Sequence, residues 1–150
     1  MGDLLHKEVA QLQAFVELLK QEQALLKTES GEALLALVET KNTLANELGQ
    51  QAQGREQQLA ALGLPAGRIG MAEWLDQHAR PAERPLWDTF LTLAGEARDL
   101  NLLNGKLIGL HMQHNQQALA ALTAAADRAT TYGPDGQQQS SVGSRILGKA

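Results

Sequence analysis

The sequence contains no cysteine, and this absence excludes disulfide bonds, thiolate metal ligands and cysteine nucleophiles together. Aromatic residues make up only 3% of the 150 residues, so few side chains are large enough to fill a thick globular core. Valine and isoleucine together number only seven, and both residue types are enriched in strands. The sequence therefore offers little material for a β-sheet or for thiol chemistry.

Long apolar runs and basic clusters are also missing. No apolar stretch approaches the roughly 20 residues that cross a bilayer. The amino terminus lacks the basic region, apolar core and cleavage site of a secretory signal. A net charge of -4 without a basic cluster argues against nucleic acid as a partner. We therefore expect a cytoplasmic protein without stable membrane insertion.

The residues that are abundant favour helices. Leucine (27) and alanine (23) supply a third of the chain, and both lose little side-chain freedom in a helix. The composition and spacing predict an all-α fold, an elongated antiparallel helical bundle of three long helices plus one short helix. A flexible carboxyl-terminal tail follows, so we expect a bundle domain over residues 1–129 and a tail over residues 130–150.

The apolar spacing predicts helices over residues 4–27, 32–62, 71–78 and 86–129. Lys41 and Arg55 interrupt the apolar face of the second helix, and we expect them to mark places where this face meets solvent. Glu8 and Glu22 of the first helix are expected to be ordinary solvated charges. The short third helix presents Met71, Trp74 and Leu75, which we expect to plug the bundle. The first helix carries one apolar seam at steps of three and four, formed by Leu5, Val9, Leu12, Val16, Leu19 and Leu26.

The last helix carries two stripes, one of which is polar in part. Amides in a heptad stripe cost stability unless they are paired, so three interpretations stay open. The amides fix helix register by hydrogen bonds inside the bundle, belong to a partner-binding face, or are simply exposed to solvent. Gly105 and Gly109 lie four residues apart and would allow close approach of another backbone. This backbone could be that of the first helix or that of a bound partner protein. The mixed stripe consists of Phe90, Ala97, Asn101, Asn104, Ile108, His111, Asn115, Ala118 and Leu122, and the apolar stripe of Leu93, Leu100, Leu103, Leu107 and Leu110.

Catalytic and metal sites have no candidate residues. His111 and His114 lie three apart, but no third ligand is evident and the metalloprotease pattern is absent. No glycine-rich phosphate loop or nucleophile elbow is present either. We therefore predict a binding protein that is not an enzyme and needs no cofactor.

Two motifs resemble the FlgN family of flagellar export chaperones. The first is Asn101-x-x-Asn104-Gly105-x-Leu107-Ile108 in the long last helix. The second is Tyr132-Gly133-Pro134-Asp135-Gly136-Gln137, followed by a short tail ending near Arg145-x-Leu147-Gly148. The resemblance extends over essentially the whole chain, including the short Trp74 helix.

The resemblance implies a cytoplasmic chaperone of flagellar type III export. Its clients would be hook-associated proteins of the hook–filament junction, held by their carboxyl-terminal helical segments and delivered to the flagellar export gate or export ATPase complex. A structural coiled-coil subunit of a larger assembly is the alternative, and the chain could be a monomer or a homodimer. If the polar stripe is the partner face, the client-binding residues are Asn101, Asn104, Leu107, Ile108, His111 and Asn115. By resemblance, Tyr132, Gly133 and Pro134 would dock on the export gate.

Overall fold

The computed structural model describes residues 1–28 and 31–131, and these ranges contain four α-helices and no strand. This confirms the predicted all-helical class with three long helices and one short one. The short helix begins at Gly67 rather than at residue 71, and the other predicted bounds differ by a few residues. The helices are α1 (Gly2–Thr28), α2 (Gly31–Ala61), α3 (Gly67–Gln77) and α4 (Glu83–Thr131).

The chain divides into two compact units, Met1–Ile108 and Gly109–Ala150. The first unit contains α1, α2, α3 and the beginning of α4. In the second unit the structure describes residues 109–131, which continue α4. The boundary between bundle and tail that we placed at residue 129 stays a prediction. Within the described ranges, no helix combines the length and apolarity needed to cross a membrane.

The seam of α1 forms the centre of the first unit. Five of its six predicted members are buried, and Val9 is half-buried. Side-chain pairs from Glu8 to Arg55 and from Glu22 to Lys41 show that α1 and α2 run antiparallel. The seam packs on α4 through Ala97 and its apolar neighbours, which confirms the heptad prediction. The buried seam residues are Leu5, Leu12, Val16, Leu19 and Leu26.

The short helix closes one end of this unit, as predicted. Met71, Trp74 and Leu75 pack in one buried cluster with residues of the other three helices. A side chain on Gly70 would place its Cβ 1.7 Å from the carbonyl oxygen of Pro65, so only glycine allows this approach. The first backbone amide of α3 is satisfied from α2, because the Gly67 N–H donates to Glu56 Oε2 at 2.9 Å.

Lys41 and Arg55 do not face solvent, and this part of the sequence prediction was wrong. The side chains are 23% and 11% exposed, and each pairs with a buried glutamate of α1, Glu22 and Glu8 respectively. These two glutamates are therefore not solvated surface charges. Periodicity shows that a position lies in a seam. It does not show whether the neighbouring helix carries an opposite charge that can pair with the side chain at that position.

The Arg55 guanidinium is held from two sides. It donates a hydrogen bond to Glu8 Oε1 and lies over the rings of Trp87 and Phe90, 5.5 and 5.1 Å from their centroids. The two rings stack on each other at 4.9 Å. Burial raises the pKa of the Glu8 carboxyl, and the positive charge and hydrogen bond of Arg55 oppose this increase without cancelling it.

We expect Arg55→Met to destabilise the protein by about 3 kcal/mol near neutral pH, because it leaves Glu8 buried without its cation. Without Arg55 the folded-state pKa of Glu8 rises further above its unfolded value. The folded variant then binds a proton more readily than the unfolded chain, so its free energy of unfolding increases as the pH falls. Urea unfolding at about pH 8 and about pH 5 should show the deficit shrinking toward acid.

Arg98→Met is the matched control for this experiment. Arg98 is exposed, and among the described residues it pairs with its exposed neighbour Asp99, so its loss should cost less than about 1 kcal/mol at either pH. A deficit for Arg55→Met that is equally small, or that grows toward acid, would contradict the assignment of Glu8 and Arg55 as a buried pair.

Candidate functional site

Asn104 is fully buried, and its amide is used inside the fold. Its Nδ2 donates to the backbone carbonyl of Leu19 at 2.8 Å and to Glu22 Oε1 at 2.9 Å. The Glu22 carboxylate also accepts hydrogen bonds from Lys41 Nζ at 3.0 and 3.1 Å. One polar cluster therefore joins α1, α2 and α4. For Asn104, the structure supports the first of the three interpretations, a register-fixing bond inside the bundle.

The other candidate client-binding residues divide between the two units. Asn101 and Ile108 of the first unit are exposed, and Leu107 is half-buried. In the second unit His111 is half-buried and Asn115 is exposed. Of the six, Asn104 is the one whose side chain is closed off from a partner by its own fold. The other five retain accessible surface for the predicted role.

The glycines of α4 do not serve packing within the described residues. A Cβ added to Gly95, Gly105 or Gly109 would have no non-local atom within 4 Å. Within the first unit, α1 therefore does not pack closely against Gly105. Each glycine costs roughly 1 kcal/mol of helix propensity relative to alanine.

The second unit exposes a regular apolar surface. We define the distal surface as Met112, Asn115, Leu119 and Leu122, which follow one another at steps of three, four and three along α4. Met112, Leu119 and Leu122 are 58%, 65% and 68% exposed, and all side chains from residue 112 to residue 129 are exposed. Scattered exposed leucines need no explanation, but a heptad row of them on one helix is typical of a docking face.

Sequence reasoning missed two members of this surface. Met112 and Leu119 were not among the candidate residues, because the two stripes were traced through other positions of the last helix. The width of the apolar pattern on the last helix could have identified them. Apolar residues beside the mixed stripe make this pattern wider than one neighbouring helix can cover. Tyr132, Gly133 and Pro134, predicted to dock on the export gate, lie outside the described residues.

The described residues form a helical protein whose last helix carries an exposed apolar face. Among residues 1–28 and 31–131, no group of three or more histidine, aspartate or glutamate side chains is placed to hold a metal ion. The sequence profile described as FlgN protein matches residues 1–140. The chain belongs to the FlgN family, which confirms the resemblance seen in the two motifs.

Two curated relatives and one crystal structure extend this comparison. A flagella synthesis protein FlgN of Yersinia enterocolitica is 30% identical over 142 residues, covering 83% of this chain and 94% of the relative. Another, from Yersinia enterocolitica serotype O:8, is 41% identical over 69 residues, covering 46% of this chain and 44% of the relative. A crystal structure from Pseudomonas aeruginosa, described as a candidate flagella synthesis protein FlgN, matches with a TM-score of 0.63 and 22% identity. It covers 71% of this chain and 84% of its own, and shows the shared helical fold.

We expect Asn104→Ala to destabilise the protein by about 2 kcal/mol, because two hydrogen bonds are lost and the buried Glu22 carboxylate loses a donor. Asn101→Ala, three residues earlier in an exposed position, should change stability by less than about 0.5 kcal/mol. Thermal and urea unfolding of the two variants provide the measurement. Equal effects would show that the Asn104 cluster does not hold the three helices together.

Proposed function

We propose that the chain is a cytoplasmic chaperone of flagellar type III export. It binds the carboxyl-terminal helical segments of hook-associated proteins, prevents their premature assembly and delivers them to the export gate. Membership of the FlgN family supports the flagellar role. The observation that carries the binding role is the distal surface, an apolar heptad row left exposed on a well-formed helix.

The surface suits an amphipathic helix as its occupant. Such a helix offers apolar side chains at steps of three and four, which is the spacing of Met112, Leu119 and Leu122. Each anchor of this size contributes about 1.5–3 kcal/mol when fully buried, before ordering costs are subtracted. Three anchors supply about 4.5–9 kcal/mol before those costs, so micromolar binding, which needs about 8 kcal/mol net, requires further contacts from their apolar neighbours. Binding of this strength holds a client while allowing its later release.

The proposed hand-over needs no nucleotide site on the chaperone. The receiving machinery can drive release by binding either the client or the chaperone more tightly at the gate. Tyr132 is the proposed contact to the gate, since tyrosine gives a large apolar contact together with a hydrogen-bonding hydroxyl.

Leu119→Ala and Leu122→Ala should each weaken binding of a client's carboxyl-terminal segment about tenfold, because each removes one exposed anchor worth about 1.4 kcal/mol or more. Stability should change little, since neither leucine is buried in the chaperone alone. Calorimetric titration with a peptide from a hook-associated protein, beside thermal unfolding, measures both quantities.

The control is Gln113→Ala, an exposed change on another side of the same helix turn. It should leave affinity unaltered. Undiminished binding by both leucine variants, or retained binding to clients lacking their carboxyl-terminal segments, would refute capture at this surface. Light scattering that finds the pure protein aggregated without assembly partners would favour a structural coiled-coil subunit instead.

Tyr132→Ala should lower secretion of the client without changing client affinity or helicity. The residue follows the last described helix turn and is proposed to contact the gate rather than the client. Secretion assays in a strain carrying the variant, compared with pull-down of the client, separate these effects. A variant that loses the client would place Tyr132 in the capture surface.

A further inference from the structure

The first unit contains a cavity of about 370 Å³ that is lined by residues of all four helices. This volume lies at the lower end of the roughly 300–1,000 Å³ range of ligand sites. The cavity is open to solvent on one side, so it can hold the end of a chain whose remainder continues outside. Among the residues that line it are Gly2, Leu62, Trp74, His78, Arg80 and Glu83.

The Glu83 carboxyl group leaves one of its oxygens available to this cavity. The side chain is buried, and its Oε2 accepts a hydrogen bond from the Arg80 backbone N–H at 2.7 Å. Its Oε1 lies against Gly2, where an added Cβ would be only 2.0 Å away. Within residues 1–28 and 31–131, Oε1 has no hydrogen-bond donor. A ligand that presents an N–H group to Oε1 therefore gains a charge-assisted hydrogen bond at the wall of the cavity.

Positive charge surrounds this carboxylate. Arg80 is exposed, and its guanidinium group has no ion pair in the part of the chain that the structure describes. His78 contributes an imidazole ring that can donate a hydrogen bond. Helices α1 and α4 begin at Gly2 and Glu83, so the positive ends of two helix dipoles lie at the wall. The lining therefore favours an anionic group next to the N–H that Glu83 accepts.

The apolar part of the wall is formed by Trp74 and Leu62. Trp74 is buried, whereas Leu62 is 50% exposed, so part of its apolar surface stays in contact with water. A ligand with an apolar side chain would remove this surface from water. A carboxylate, a neighbouring N–H and an apolar side chain occur together in the last residue of a polypeptide that ends in a free carboxyl group.

We propose that this cavity is a second binding site, which takes the carboxyl-terminal residue of a polypeptide when that residue is apolar. The Arg80 guanidinium binds the terminal carboxylate, and Glu83 Oε1 accepts the N–H of the same residue. The side chain of the bound residue packs on Leu62 and Trp74. The inference goes beyond the proposed function and does not depend on it, because the distal surface belongs to the other unit.

Two acetylated tripeptides ending in leucine provide the probe, one with a free carboxyl group and one with a carboxamide. Both offer the same N–H and the same side chain, so they differ in the charge that Arg80 is proposed to bind. Each is titrated into the ¹⁵N-labelled full-length protein, and the shift of the Trp74 indole resonance gives the dissociation constant. The carboxamide should bind about tenfold or more weakly, because it loses charge-assisted hydrogen bonds.

Arg80→Gln should reduce this preference to about twofold, because the guanidinium that distinguishes the two peptides is gone. Leu62→Ala should weaken both peptides by a similar factor and leave the preference as it is. The control is Arg68→Gln, which replaces an exposed arginine of α3 outside the cavity lining and should change neither constant. Arg80 and Leu62 are exposed, so neither change removes a buried side chain.

Equal affinity for the two peptides in the parent protein overturns the inference, and so does a preference that survives in Arg80→Gln. Failure of the free-carboxyl peptide to shift the Trp74 resonance at millimolar concentration has the same consequence. Free leucine separates a chain end from a small-molecule ligand. The peptide should bind at least as tightly, and tighter binding of the amino acid would overturn the assignment to a chain end. None of these outcomes bears on capture at the distal surface, which Leu119→Ala tests separately.

Discussion

The structure of the first unit depends on the burial of two carboxylates on α1. Glu8 and Glu22 each need a cation from α2, and each cluster is completed by α4. A buried charge that loses its partner costs several kcal/mol. If α1 shifted along its neighbours, the loss of these ion pairs would therefore destabilise the fold far more than the exchange of one leucine contact for another. Leucine and alanine supply the burial energy, and the polar clusters specify which faces meet and in which register.

The sequence predicted the elements that depend on local pattern. Steps of three and four located the seam of α1, and the apolar trio of α3 is buried as expected. The pairing of Arg55 with Glu8 was not predictable in the same way, because the two residues are far apart in the chain and any inward-facing acid could have served. The role of Asn104 stayed open for a related reason. A heptad shows that an amide lies in a seam, but not whether the facing helix belongs to the same chain.

The last helix has a packed stretch and an exposed stretch, and Asn104 is the last of its residues that is fully buried within the described ranges. Before it, α4 contributes Trp87, Phe90 and Ala97 to the packed interior. From residue 112 onward its described side chains are exposed. Changes in the first stretch act on folding because they remove buried contacts, whereas changes in the second remove no buried side chain among the described residues. The proposed binding surface can therefore be changed with little effect on the buried contacts of the fold.

A helix with so little packing must be stable for local reasons. Alanine is the strongest helix former, and residues 118–129 consist mostly of alanine. Isolated helices shorter than about 12–15 residues are marginal in water, and the exposed stretch avoids this limit because it continues from the packed part of α4 without a new nucleus. A partner that binds the distal surface therefore meets a helix already formed. If the distal surface binds a helix as proposed, the cost of ordering the backbone falls mainly on the partner.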